Sequence, residues 1–186
     1  MNIPSSSNTR NPPSAVPVKI REATLEDAEA IATVHVASWQ AAYKGIMPEQ
    51  FLKTLSIEAR AATWRKLLQA GTPHVLVAQV DETIIGWTAC GACRDKDKDN
   101  NWAEIEALYV LPEFWRKGIG GRLSDAARQL LHTAGYSFAT LWVLSENHHA
   151  RAFYDRNGFA QDDSSKLIQI GGVQLTEVRY HYTLPQ

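Results

Sequence analysis

The stretch Pro112-Glu113-Phe114-Trp115-Arg116-Lys117-Gly118-Ile119-Gly120-Gly121-Arg122-Leu123 decides how this chain folds. Upstream of it, Ile105 to Leu111 forms an apolar, strand-like run. Downstream, Leu123, Ala126, Ala127, Leu130 and Leu131 recur at helical spacing. A strand therefore feeds a glycine-rich loop that opens directly into a helix. Glycines at such a place let the backbone approach a ligand closely, and the first N–H groups of the helix have no partner inside it. Those donors, with the positive end of the helix dipole, favour a phosphate. Arg116, Lys117 and Arg122 bring positive charge to the same place. The loop reads as a pyrophosphate cradle, with an ordinary tight strand-to-helix turn as the alternative. No P-loop string occurs, and Leu123 stands where a dinucleotide fingerprint needs glycine or alanine.

The 186 residues suit one domain with a sizeable core. A formal net charge of -1 gives no support for nucleic-acid binding. No apolar run approaches the ~18 residues needed to cross a bilayer, and Met1 to Ser7 lacks the hydrophobic segment of a secretory signal. A cytoplasmic protein is the expectation. Cys90 and Cys93 form a lone Cys-x-x-Cys without a second pair, which predicts plain reduced thiols rather than half a zinc site.

Residues 1–16 are rich in Ser, Asn and Pro and read as a flexible tail, leaving 17–186 as the folded domain. After a first strand over Val18 to Arg21, Thr24 with Asp27 makes a capping box for a helix with Ala28, Ile31, Ala32 and His35 on one face. His35 reads as a satisfied core histidine. Two further helices follow, around Phe51-Leu52 and from about Ser56 to Gln69. His74 to Val80 and Thr83 to Ala92 form a hairpin around Asp81-Glu82. The charged run Arg94 to Asn101 reads as a solvated loop. Beyond the glycine loop and its helix, Ser137 to Leu144 is a nearly continuous apolar strand, as expected of one buried on both faces. Asn147 caps a short helix ending at Asn157-Gly158. The strands Lys166 to Ile170 and Val173 to Leu184 flank Gly171-Gly172, a hairpin signal.

The order of strand, Gly-rich loop, helix, strand and an Asn-capped helix reading Asn147-His148-His149-Ala150-Arg151-Ala152-Phe153-Tyr154, then Gly158-Phe159, resembles the GNAT superfamily of acyl-CoA-dependent N-acetyltransferases. The resemblance covers about residues 18 to 184 and is most specific in 104–123 and 141–159. It implies a single α/β domain: a mixed, mostly antiparallel sheet of about seven strands flanked by helices. It implies acetyl-CoA as cosubstrate and no metal. The loop Arg116-Lys117-Gly118-Ile119-Gly120-Gly121 would hold the CoA pyrophosphate, and Leu108, Tyr109 and Val110 would pair with the pantetheine arm. Trp115 departs from the Gln or Arg that usually begins this loop, which changes a side chain and leaves the N–H donors in place.

By the same resemblance, Tyr154 protonates the departing thiolate. A phenol with a pKa of about 10 does so only when held close, and packing beside Phe153 is the plainer role. Asn147 reaches the pantetheine, caps its helix, or both. Glu104 and Glu106 lie two apart on an otherwise apolar strand, hence on one face. Amine acylation needs a base, because an ammonium with a pKa near ~10.4 is almost wholly protonated at neutral pH. Glu104 matches the base position of some family members, and Glu106 shares that role or binds a cationic acceptor. The alternative is a structural salt bridge, for example to Arg179. Trp39 and Tyr43 share a helix face and either wall an acceptor pocket or belong to the core. His148 and His149 diverge on their helix, against a shared metal. The expected activity is acetyl transfer to a primary amine by direct attack. A non-catalytic acyl-CoA sensor and a nucleotide-binding domain are the rivals. The acceptor's identity and the oligomeric state, a homodimer included, are not readable from these residues.

Overall fold

The structure is a computed structural model and describes residues 17–185. The tail reading for residues 1–16 lies outside the described residues. Seven strands form one sheet: β1 (Lys19–Glu22), β2 (His74–Val80), β3 (Thr83–Ala92), β4 (Trp102–Val110), β5 (Phe138–Leu144), β6 (Ala160–Ile170) and β7 (Val173–Thr183). Their spatial order is β1-β2-β3-β4-β5-β7-β6. Every neighbouring pair is antiparallel except β4 and β5. The expected mixed sheet is what the chain forms.

Strand alternation gives the sheet two greasy faces. Val75 and Val77 on β2 pack with α1 (Ala28–Ala42) and α3 (Ile57–Ala70), in a cluster holding Ile31, Trp64 and Trp87. Leu76 and Ala78 point the other way, toward α4 (Ile119–Thr133). There Leu123, Ala127 and Leu131 are wholly buried, each leucine contributing about 2 kcal/mol of apolar burial. α5 (His148–Arg156) lies on the same side through Tyr154. A third cluster joins α2 (Glu49–Lys53) to the β6–β7 hairpin through Met47, Leu52 and Leu144. Gly171 at that hairpin's tip has φ +58, and a Cβ there would come within 2.7 Å of Phe51. The tip therefore requires glycine both for its conformation and for its close approach to α2.

Two irregularities prepare the site. β4 and β5 pair only from Trp102↔Phe138 to Glu104↔Thr140, so beyond Glu104 the facing edge of β4 makes no ladder with β5. Against β3 the register shifts, Ala107 opposing Ala89 and Ile105 opposing Cys90, which makes Glu106 a bulge residue. β6 starts at Ala160 rather than at the expected Lys166, since Ala160 and Gln161 already pair with His181 and Tyr180 of β7, and the pairing is then interrupted between Gln161 and Ser165. The interruption wraps Asp162 and Ser164 around the Arg179 guanidinium, at 2.8 and 2.7 Å.

Candidate active site

The gap between β4 and β5 opens into a cavity of about 590 Å³. One end is the glycine loop. A short 3-10 turn (Pro112–Phe114) and a left-handed Gly118, φ +80, lead into α4. The first helical bond of α4 runs from the Arg122 N–H to the Gly118 carbonyl at 3.2 Å. The N–H groups of Ile119, Gly120 and Gly121 consequently have no helical acceptor. Gly118, Gly120 and Gly121 line the cavity. A Cβ on Gly120 would meet the Phe153 ring at 3.1 Å, so glycine here lets α4 and α5 close together.

The three loop cations divide. Arg116 lines the cavity, whereas Arg122 donates to the Val18 carbonyl at 2.5 Å and Lys117 lies 5.0 Å over the Phe114 ring. Ile119 is a core side chain. In this arrangement Lys117 and Arg122 do not line the cavity, and what Ile119 has to offer is its N–H. Arg156 and Asn157 line the cavity instead, at the end of a helix whose polar residues carry no motif. Trp115 lines it too, donating to the Val110 carbonyl at 2.7 Å and stacking on His149 at 5.5 Å. Ser38 donates to the same carbonyl at 2.9 Å. Leu108, Tyr109 and Val110 border the cavity along the open edge of β4. Asn147 is buried, its side chain accepts from the Ala150 N–H at 3.1 Å, and it also lines the cavity.

Tyr154 projects from α5 into the same space, packed against Phe153, Phe159 and Tyr180. Burial, with a smaller contribution from Tyr109, raises its pKa well above that of a free phenol, so it holds its proton at neutral pH. Among the described residues its hydroxyl has no hydrogen-bond partner. Both alternatives for this residue hold at once, since it packs and it faces the cavity.

The two glutamates differ. Glu104 is 4% exposed and accepts from Arg94 Nε and Nη2 at 2.9 and 2.6 Å, and from the Arg94 N–H at 3.3 Å. It does not line the cavity. Glu106 does, and its carboxylate lies 3.0 Å from Arg94 Nη1. Burial raises the Glu106 pKa, Arg94 lowers it and Glu104 raises it. The salt bridge foreseen for these carboxylates goes to Arg94, not to Arg179. Arg179 instead binds Asp95, Asp97 and Asp162 at 2.8 to 3.0 Å. The Arg94–Asn101 segment is the mostly exposed loop expected, and these ion pairs tie it to the sheet. Asp95 also accepts from the Trp142 indole at 3.1 Å, and Lys98 sits 3.9 Å over the Trp102 ring.

The far end of the cavity is aromatic. Trp39 and Tyr43 line it, as do Tyr109 and Trp142, and the Tyr43 and Tyr109 hydroxyls lie 3.1 Å apart. Burial raises both of their pKa values. Trp39 also packs against His35, so it serves the wall and the core together. His35 is enclosed by Trp39, Trp64, Trp87 and Tyr109, and neither ring nitrogen has a partner. The satisfied core histidine expected there is buried but unsatisfied, and burial pushes its pKa down to about 3. Glu177 of β7, which no sequence motif marked, completes this end.

Cys90 and Cys93 are free thiols, and burial pushes Cys90 up to about 12. Among the described residues no group of three or more His, Cys, Asp or Glu side chains is placed to hold a metal, and no helix is long and apolar enough to cross a membrane.

A model of the acetyltransferase (GNAT) family matches residues 36–159, and the chain belongs to that family. It is 32% identical over 164 residues to an uncharacterized N-acetyltransferase of Bacillus subtilis (strain 168), covering 87% of this chain and 90% of that protein. It is 29% identical over 154 residues to the spermidine N(1)-acetyltransferase of Thermoplasma acidophilum, covering 79% and 91%. Its fold matches that of an N-acetyltransferase from Thermoplasma acidophilum solved with coenzyme A, at a TM-score of 0.72 and 26% identity over 90% and 99% of the chains. Membership makes the protein an acyl-CoA-dependent N-acyltransferase.

Proposed function

We propose that this enzyme transfers an acetyl group from acetyl-CoA to a primary amine by direct attack within a ternary complex. The observation that carries the reading is continuity: one cavity runs from the glycine loop past Tyr154 to Glu106 and the aromatic end. The loop fits a pyrophosphate, with N–H donors at the helix start, a glycine where a side chain would clash, and Arg116 and Arg156 alongside. The unladdered edge of β4 at Leu108 to Val110 fits the amide-bearing arm of CoA. Acetyl-CoA supplies the activated thioester.

The remaining chemistry belongs to side chains of this protein. Glu106 accepts a proton from the acceptor ammonium, directly or through a water, and so frees the nitrogen lone pair. Its raised pKa makes it a better base than an exposed carboxylate. Glu104, fully engaged by Arg94, holds Arg94 in place and does not take the proton. The amine nitrogen bonds to the acetyl carbon, the carbon–sulfur bond breaks, and Tyr154 gives its proton to the leaving thiolate; the acylated nitrogen sheds its second proton, which returns Tyr154 to the phenol, and Glu106 releases the first to solvent. Neither cysteine lines the cavity, so no acyl-cysteine is needed. Residues 17–186 act as one catalytic domain, and a cytoplasmic setting suits the two free thiols.

Thiol release from acetyl-CoA across a panel of amines, with intact-mass detection of the acetylated product, tests the reading. Tyr154→Phe should lower kcat by about 10²–10⁴ while CoA still binds. Full turnover in that variant would remove the acid role.

A further inference from the structure

The charged groups lining the cavity are segregated. Arg116 and Arg156 stand at the glycine-loop end, while Glu106 and Glu177 stand at the aromatic end, where no lysine or arginine lines the wall. Glu106 has an assignment in the transfer reaction. Glu177 has none. It sits on β7 opposite Leu144 of β5, which places it on the sheet face that packs toward α1 and α2. Glu106 reaches that same face through the β4 bulge. Two strand spacings and a two-residue offset put the Cα atoms of Glu106 and Glu177 roughly 12 Å apart, and the parting of β4 from β5 widens this.

Glu177 is a carboxylate with capacity to spare. Its side chain is 20% exposed, and its Oε2 lies 3.3 Å from Lys166 Nζ. Oε1 has no hydrogen-bond or ion-pair partner among the described residues. Lys166 approaches from outside the cavity, with its ammonium 3.9 Å over the Trp142 ring. The negative charge of Glu177 reaches the Tyr43 and Tyr109 hydroxyls, where it contributes to holding both phenols protonated. A half-buried carboxylate oxygen facing the cavity is the environment a desolvated ammonium group seeks, through charge-assisted hydrogen bonding; the flanking Trp39 and Trp142 rings already carry Arg60, Lys166 and Arg179, so the carboxylate makes the contact.

We propose that Glu177 is a specificity-determining residue that selects a dicationic acceptor: a chain whose reacting amine lies at Glu106 while a second ammonium, a few methylenes away, is seated on Glu177. The proposal rests on the acetyl-transfer reading of the cavity. Glu177 discriminates against other amines. An acceptor with a neutral far end leaves Glu177 without its partner, and one with a carboxylate there meets like charge. Lys166 is a built-in competitor for Glu177, so weakening it strengthens the site.

The test compares diamines from 1,3-diaminopropane to 1,8-diaminooctane with alkylamines and ω-amino acids of equal length, using the full chain and acetyl-CoA. At the best chain length kcat/KM should fall from diamine to alkylamine by at least about tenfold, and further to the ω-amino acid. Glu177→Gln should close most of the gap between diamine and alkylamine, and Lys166→Gln should widen it. Equal rates for diamine and alkylamine at every length, or a gap that survives Glu177→Gln, would overturn the proposal. Calorimetric titration of the same pairs into the protein–CoA complex reads the contact without turnover. A diamine preference in binding that Glu177→Gln removes, without any thiol release, would sink the transfer reading and leave the cation site standing.

Discussion

The two ends of the cavity, to which the proposed reaction assigns donor and acceptor, are built from different materials. The donor end is mostly backbone: N–H groups at the start of α4 and the open edge of β4, both within residues 108–121. The acceptor end is side chains from α1, β4, β5 and β7, with Arg94 and Arg179 holding the segment beneath Glu106. A backbone site should tolerate changes in its side chains, Trp115 among them. A side-chain site depends on ion pairs between segments far apart in the chain, so single substitutions should strike it harder.

The largest expected contrast is at the base. Glu106→Gln should lower kcat/KM by about 10²–10⁴, with the KM for acetyl-CoA little changed. With Glu106 as the proposed base, activity should fall as pH drops through its raised pKa, giving an acidic limb shifted upward from that of an exposed glutamate. That limb should vanish from the residual activity of the variant. An unaltered pH–rate profile would take the base role from Glu106.

Arg94→Gln comes next. Arg94 lowers the Glu106 pKa, so its loss should move the acidic limb to higher pH and reduce the rate at pH 6 more than at pH 8. A limb that stays in place would mean that Arg94 serves folding alone.

His35 backs the aromatic wall and provides a smaller, purely energetic contrast. Its folded pKa of about 3 lies below the 6.5 of the free side chain. The unfolded chain therefore binds the proton first. The stability that His35 contributes is complete above pH 6.5 and declines as pH falls toward 3, by about 1.4 kcal/mol per unit within that window. Asp27, Asp97 and Asp162 have pKa values lowered from 3.8, so their losses begin at more acid pH. Denaturant melts between pH 7 and pH 5 should show the decline in the parent and a flatter profile in His35→Phe. Equal slopes would show that the ring is not the buried neutral base described.

Arg122→Ala should have the least effect, changing the KM for acetyl-CoA by less than about twofold, because the guanidinium is turned to the Val18 carbonyl. A large rise in KM would restore Arg122 to the phosphate site and blur the division between the two ends.

The legible parts of the molecule were the ones that local chemistry dictates. The glycine loop, the Asn147 cap, the hairpin at Gly171-Gly172 and the helix faces each depend on residues within a few positions of one another. The ion pairs of the Arg94–Asn101 loop were not legible, because a charged run does not show its partners, and those partners, Glu104, Glu106 and Arg179, come from strands. Arg179 was assigned to the wrong carboxylate for the same reason. Glu177 carried no signal, since a glutamate in a strand that alternates polar and apolar residues looks like any outward-facing one.

By itself, the sequence determined the family, the order of strands and helices, and the glycine loop at the start of α4, because backbone donors at a helix start and hydrophobic periodicity are local properties. Only the tertiary structure decided which glutamate faces the cavity, which arginine holds it, and that Glu177 lies across from Glu106. Those follow from where β4 parts from β5, where a bulge turns Glu106, and which distant charges meet once water is excluded.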